Sequence, residues 1–266
     1  MKRPELLAPA GNLEKLKMAI HYGADAVYLS GKSYGLRNFA KNFTLTQMEE
    51  GVTLAHRRGV KVYVTVNIFP RNKDLEMLPK YLAELEGIGV DAIIVSDPGI
   101  INTAKELIPG IPLHLSTQAN TTNLRSVEFW KEQGLSRVNL ARELSLSEVK
   151  DMTEIPDMEI EVFVHGAMCV SYSGRCLLSN YLTNRDANRG ECSHPCRWKY
   201  VLMEESRPDC YLPISEDERG SYILSSKDLC LIEYIPNFID FTQRADGYIG
   251  ICRELRSTCR CPGMQI

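Results

Sequence analysis

Val60-Lys61-Val62-Tyr63-Val64-Thr65-Val66-Asn67 is a short β-branched run, and Ala92-Ile93-Ile94-Val95-Ser96-Asp97-Pro98 is another, one helix length further on. Asp97 reads as a helix N-cap and Pro98 as the first helical residue, so the second run passes directly into a helix. The same rhythm extends in both directions. Strands are expected at 6–8, 26–30, 60–67, 92–97, 113–117, 137–141 and 160–166, with helices near 12–22, 45–58, 74–87, 98–107, 123–133 and 145–154. Leu13, Leu16 and Ile20 share one helical face. Thr44 with Gln47, and Ser145 with Glu148, have capping-box spacing. Gly23, Gly59, Gly89 and Gly134 fall where helices should stop. Strands alternating with helices imply parallel pairing through crossovers, and this rhythm favours a TIM-like (β/α) barrel, an α/β fold, over an open sheet.

The 266 residues, 44% of them hydrophobic, suffice for one large core. A formal net charge of −3 provides no global basic field, so DNA binding is not expected and any RNA contact must rest on a local patch. The N-terminus lacks a signal-peptide pattern, and no apolar run approaches the ~20 residues that span a bilayer. The expected address is therefore the cytoplasm, with no membrane attachment. Nine cysteines in that compartment read as metal ligands, reactive thiols or core residues before they read as disulfides.

Chemistry in such barrels sits at the carboxyl ends of the strands. Asn67, Ser96, Asp97, Ser116, Thr117, Gln118, Asn120, Asn139, Arg142 and His165 fall there. Any one of them alone is a strand reaching water; the ring of them reads as a pocket, with Asn67, Gln118 and Arg142 as substrate-binding candidates. His165 is the candidate for proton transfer.

The rhythm breaks at Gly166. Residues 167–199 form an irregular insert of a length that is uncommon inside a compact domain and usually functional. It carries Cys169, Cys176, Cys192 and Cys196, separated by six, fifteen and three residues. That spacing lacks the two close pairs of a zinc finger, yet four thiolates on one loop make a soft site suited to iron–sulfur or zinc. Cys210 or Cys230 could replace one of the four, although Cys230 also fits the core of a helix expected near 229–238. Arg175, Arg185, Arg189, Arg197 and Lys199 outnumber Asp186 and Glu191 here, and cations lower thiol pKa and offset a thiolate-bound cluster. The four arginines also suit phosphate or an anionic small substrate, and Tyr172, Tyr181 and Trp198 could stack on bases. Beyond the insert, 200–203 and 222–225 read as two strands around a polar loop, 204–221.

Several stretches resemble the U32 family, the collagenase-like peptidases. They are Glu5-Leu6-Leu7-Ala8-Pro9-Ala10-Gly11-Asn12, Gly23-Ala24-Asp25-Ala26-Val27-Tyr28, Glu161-Val162-Phe163-Val164-His165-Gly166-Ala167-Met168-Cys169, Ser173-Gly174-Arg175-Cys176, Gly190-Glu191-Cys192-Ser193-His194-Pro195-Cys196-Arg197-Trp198 and Ser226-Lys227-Asp228-Leu229-Cys230. The likeness covers about residues 4–240. It implies a TIM-like barrel and a [4Fe–4S] cluster on the cysteine loop. It also implies oxygen-independent hydroxylation, and the four-cysteine loop with Arg197-Trp198 looks most like the branch acting on a tRNA wobble uridine with prephenate as the hydroxyl source. Relatives can act in pairs, so a paralogous U32 subunit is a possible partner and a non-catalytic role is one alternative. Peptidase activity is the other. Neither a His-Glu-x-x-His helix nor a Gly-x-Ser-x-Gly elbow is present, and a Cys169/His165 or Cys196/His194 dyad is what such an activity would use.

The resemblance stops near Asp240. Residues 241–266 hold three cysteines and four arginines, with neither strand alternation nor a helical face. This stretch reads as a frameshifted or truncated end, Cys252, Cys259 and Cys261 as accidental, and the expected division is a barrel domain over 1–240 with an atypical tail. The barrel should then lack its last strand and leave strands one and seven with open edges.

Overall fold

Period-two side-chain alternation gives each strand two faces. In the 61–66 strand, Val62, Val64 and Val66 enter a large apolar layer between strands and helices, while Tyr63 faces a small inner cluster with Leu7, Ala26, Ala92 and Ile94. A strand buried on both faces belongs to a parallel sheet covered by helices. The computed structural model describes residues 3–36, 42–198, 200–203, 205–206, 209, 211–213, 229–244 and 248–253.

Seven parallel strands follow the expected order: β1 (Glu5–Pro9), β2 (Ala26–Ser30), β3 (Lys61–Val66), β4 (Ala92–Val95), β5 (Leu113–Leu115), β6 (Arg137–Asn139) and β7 (Glu159–Gly166). Between them lie α1 (Leu13–His21), α2 (Leu45–His56), α3 (Asn72–Leu75), α4 (Leu78–Ile88), α5 (Pro98–Leu107), α6 (Leu124–Glu132) and α7 (Leu146–Thr153). The caps read from sequence are made. Both capping boxes close, the Asp97 carboxylate accepts from the Gly99 and Ile100 amides, and Gly89 ends α4 at φ 79°. The helix expected at 74–87 is two, because the chain turns at Met77 and restarts with Pro79 in the first turn of α4. β5 and β6 are shorter than expected; after β5, Thr117–Ala119 forms a 3-10 turn capped by Ser116.

The insert contains α8 (Leu178–Thr183), several 3-10 turns and, beyond it, β8 (Val201–Met203) and β9 (Tyr211–Pro213). β8 pairs antiparallel with β9, and the 222–225 segment lies outside the described residues. The helix expected at 229–238 begins later. Leu229–Cys230 is a short strand, β10, antiparallel to the end of β7, and α9 runs over Ile235–Arg244. Cys230 is therefore an exposed strand residue and not a helix-core one.

The tail contradicts the expectation of a missing strand. Tyr248–Arg253 forms β11, parallel to β7 on one side and to β1 on the other. With β6 pairing β7, every one of the eight parallel strands has two neighbours and the ring of pairings closes. The local pattern of Tyr248-Ile249-Gly250-Ile251-Cys252-Arg253 is weak. What places it is demand: two strand edges with unpaired amides and carbonyls accept a six-residue segment that any apolar run can supply. Thus residues 241–244 and 248–253 belong to the barrel, with α9 packed on α7 and β11. Among the described residues, no helix is long and apolar enough to cross a membrane.

Candidate functional site

Four strand ends are tied to one another at the carboxyl face. The Asn67 Nδ2 donates to Ser116 Oγ at 3.0 Å, Ser96 Oγ to the Asn67 carbonyl at 3.2 Å, and Thr117 Oγ1 to the Leu140 carbonyl at 3.0 Å. These bonds hold the mouth in one shape. They also leave two amide oxygens, Asn67 Oδ1 and Gln118 Oε1, buried without a donor among the described residues. Buried acceptors of this kind carry a desolvation cost until something donates to them.

The insert is stitched across this face. Gly174 sits at φ 80°, and a Cβ there would come within 2.7 Å of Gln118 Nε2, so only glycine permits the approach. Beside it, the Ser173 amide donates to Glu143 Oε1 and its hydroxyl to Asn120 Oδ1, while Arg175 Nε donates to the Gln118 carbonyl at 3.2 Å. Arg175 also lies over the Phe69 ring. On the opposite side, Arg189 makes a two-pronged ion pair with Asp74 at 2.6 and 3.0 Å and donates to the Phe69 carbonyl. That pair holds the Asp74 carboxyl down to about 2. Asn188 closes the clamp, accepting from the Cys176 amide and donating to its carbonyl.

Within this frame the four cysteines converge. Burial raises the Cys169 thiol pKa, and Cys176 and Cys192 raise it further, opposed by the Ser171 amide and by Arg142. Cys196 is raised by burial and by Cys169, with Cys192 and Cys176 adding to it and Arg197 opposing. Cys169 and Cys196 thus each lie within electrostatic reach of the other three thiols. Three accept a hydrogen bond from the amide two residues on: Ser171 to Cys169 at 3.5 Å, Leu178 to Cys176 at 3.3 Å and His194 to Cys192 at 3.4 Å. Among the described residues, no three His, Cys, Asp or Glu side chains are spaced to hold a single metal ion.

The other residues singled out in the sequence take distinct places. Arg142 stacks over Phe163 at 4.2 Å. Arg197 donates to the Met168 carbonyl, bracing the first cysteine's loop. Arg185 is half-buried within the insert. Arg189 is committed to Asp74, which makes it a positioning residue. His165 is buried near the end of β7, in register with Cys230 on one side and Arg253 on the other. Cys210 lies outside the described residues. His194 Nδ1 stands 3.8 Å from Cys192 Sγ, a pairing that neither dyad read from sequence anticipated.

Sequence reading missed a buried ionic layer inside the barrel. Arg137 donates to Glu5 at 2.7 Å, Glu159 at 2.8 Å and Glu161 at 3.4 Å. Tyr63 donates to Glu5, and Asn139 Nδ2 to Glu161 Oε1 at 2.6 Å. The available signal was charged residues at inward strand positions. Gly250 of β11, in register with both Glu5 and Glu161, brings no side chain into that layer.

The model of peptidase family U32 matches residues 11–245, most of the chain. The chain belongs to this family. The solved structure of the U32 peptidase Mk0906 superposes with a TM-score of 0.60, covering 98% of this chain and 95% of that one at 13% identity, which supports the shared fold. Among curated U32 relatives, tRNA hydroxylation protein P1 of Bacillus subtilis is 52% identical over 239 residues. tRNA hydroxylation protein P of Escherichia coli is 41% identical over 275. The alignments take in 90% and 88% of this U32 chain but 56% and 61% of those proteins, so the chain spans under two thirds of their length.

Proposed function

We propose that this U32 chain is an iron–sulfur enzyme that hydroxylates the wobble uridine of tRNA without molecular oxygen. The observation that carries the reading is the convergence of four cysteines at the barrel mouth, three of them accepting amide hydrogen bonds, in a chain similar to tRNA hydroxylation proteins. Amide donors to cysteine sulfur stabilise thiolate and tune the potential of a bound cluster. Cys169, Cys176, Cys192 and Cys196 would hold a [4Fe–4S] cluster, which when bound supplies redox chemistry. A four-iron cluster is itself several ångströms across and asks for thiols spread more widely than the ligands of one ion.

The chain's own residues supply the rest. Converting a uridine C5–H to C5–OH is a two-electron oxidation, and prephenate, a dicarboxylate, is the co-substrate we infer: it would give up its hydroxyl, take the displaced hydrogen in exchange and so be reduced by the same two electrons. Arg142 and Arg175 are the cations for it, each braced by an aromatic ring. The unpaired amide oxygens of Asn67 and Gln118 would accept from substrate N–H or O–H groups. His165 is the group positioned to move a proton at the end of β7. Arg185 and Arg197 extend the basic rim toward RNA phosphates.

Anaerobically purified protein should be brown, absorb near 400 nm, and contain about four irons with matching sulfide. Cys169→Ser should lose the colour. A colourless protein carrying stoichiometric zinc would remove the cluster from the reading. Incubation with tRNA and prephenate should add one oxygen to a uridine, read by nucleoside mass spectrometry. Cleavage of denatured collagen that survives loss of all four cysteines would favour a peptidase instead.

A further inference from the structure

Beside the ring of strand ends, the turn after β5 and the first turns of α6 border an open cavity of about 340 Å³, lined by Asn120, Thr121, Arg125, Ser126, Phe129 and Trp130. Its size is at the small end of ligand pockets. Thr121 is 1% exposed, yet its Oγ1 has no hydrogen-bond partner among the described residues. A buried hydroxyl in a cavity wall costs free energy unless a ligand group pairs with it. Phe129 is 49% exposed and meets Trp130 edge to face, with ring centroids 5.0 Å apart. Arg125 reaches into solvent, ion-paired to Glu128 one turn along the same helix. An exposed pair of that kind is worth little and is readily exchanged for another anion.

The cavity adjoins the cysteine insert. Asn120, in the left-handed conformation at φ 57°, accepts from Ser173 of the insert, so one residue lines the cavity and anchors the cluster loop. An exposed aromatic ring set against a second, an exposed guanidinium and three short polar side chains are what an unstacked nucleobase needs. The exposed Phe129 ring takes one of its faces, the hydroxyls and amide its edge, and the arginine its phosphate. A small carboxylate would use the cation and leave both rings idle.

We propose that this cavity binds an unpaired nucleobase of the RNA, adjacent to the nucleotide being modified. The proposal rests on the tRNA reading above and gives that substrate a second point of attachment.

The test uses the full chain with Trp198→Phe, which leaves Trp130 as its sole tryptophan. The probes are uridine 5′-monophosphate and an RNA hairpin with an anticodon-like loop. Uridine monophosphate should quench Trp130 saturably. Thr121→Val and Phe129→Ala should each weaken both quenching and hairpin binding by at least about fivefold, with unchanged thermal melts. A hairpin with abasic loop positions should bind the parent and Phe129→Ala equally. Hairpin binding that is strong and indifferent to both substitutions overturns the cavity proposal and leaves the tRNA reading intact. Quenching that responds to both substitutions, where the chain with Trp198 intact does not bind the hairpin either, supports the nucleobase site and removes the tRNA reading. Loss of both signals in the parent overturns both.

Discussion

Glu161 is fully enclosed in the barrel, where its carboxyl shares Arg137 with Glu5, which Lys61 Nζ also approaches at 3.8 Å. Burial raises its pKa from the ordinary 4.5 to about 7, with Arg137 opposing and Glu5 adding to the rise. The folded chain therefore keeps a proton that the unfolded chain has released between about pH 4.5 and pH 7. Stability from this group is full below that window and is lost as pH rises through it. Glu161→Gln mimics the protonated acid and still accepts from Asn139. It should match the parent near pH 5 and exceed it near pH 8, by on the order of a few kcal/mol. Melting temperatures measured across that range test this, and two parallel profiles would show that Glu161 does not titrate there. Arg137 is the opposite case. It is 1% exposed, and three carboxylates and the Tyr63 ring surround it. Arg137→Met strands buried charge and should cost about 3–5 kcal/mol in urea unfolding, as breaking one side of a buried pair does. A loss below about 1 kcal/mol would mean that the layer does not depend on this arginine for its stability.

At the scale of elements, the cysteine insert is held to the barrel by a small number of polar ties, and the Asp74–Arg189 pair is the strongest by geometry. Asp74 belongs to α3, whose first turn it also caps through the Arg71 amide at 2.7 Å. Arg189→Lys keeps the charge but loses the two-pronged match. Amide exchange over 186–196 should speed up about tenfold, matching a local loss of about 1–2 kcal/mol, while β3 and β4 stay protected. Unchanged exchange in the insert would assign its order to the other ties. Since the Asp74 pKa is lowered to about 2 from 3.8, its contribution is present above about pH 4 and lost as pH falls toward 2. The two capping boxes and the Asp97-Pro98 start were legible because their partners lie within three residues of each other. The Arg189–Asp74 clamp was not, since its members are 115 residues apart. Arg189 read as one of four arginines suited to phosphate or an anionic small substrate. Leu229-Cys230 was misread for a related reason: two apolar residues before a helix resemble its first turn until the end of β7 pairs with them.

At the scale of the whole molecule, the alternation of strand and helix carried the barrel up to β7, and the cysteine spacing marked the candidate site. What it could not carry was closure, because Tyr248–Arg253 becomes a strand through what lies on either side of it. Glu5, Leu6 and Leu7 pair along one edge and residues 159–165 along the other, so β11 satisfies two rows of backbone groups at once. The ionic layer depends on the same closure, with Gly250 in register between Glu5 and Glu161. A proline within β11 tests this directly. Ile251 is opposite Leu6 and Val162, and Ile251→Pro removes its amide from the ladder and fixes its φ. The substitution should destabilise the chain by about 3 kcal/mol or more. It should also expose the β1 and β7 edges, seen as a lower melting temperature and concentration-dependent aggregation in light scattering. Ile251→Val, which keeps the amide and the β-branched shape, should behave like the parent to within about 1 kcal/mol. Parent-like melting and scattering for Ile251→Pro would mean that the barrel holds together without this strand. The cysteine loop would then be presented by seven strands alone.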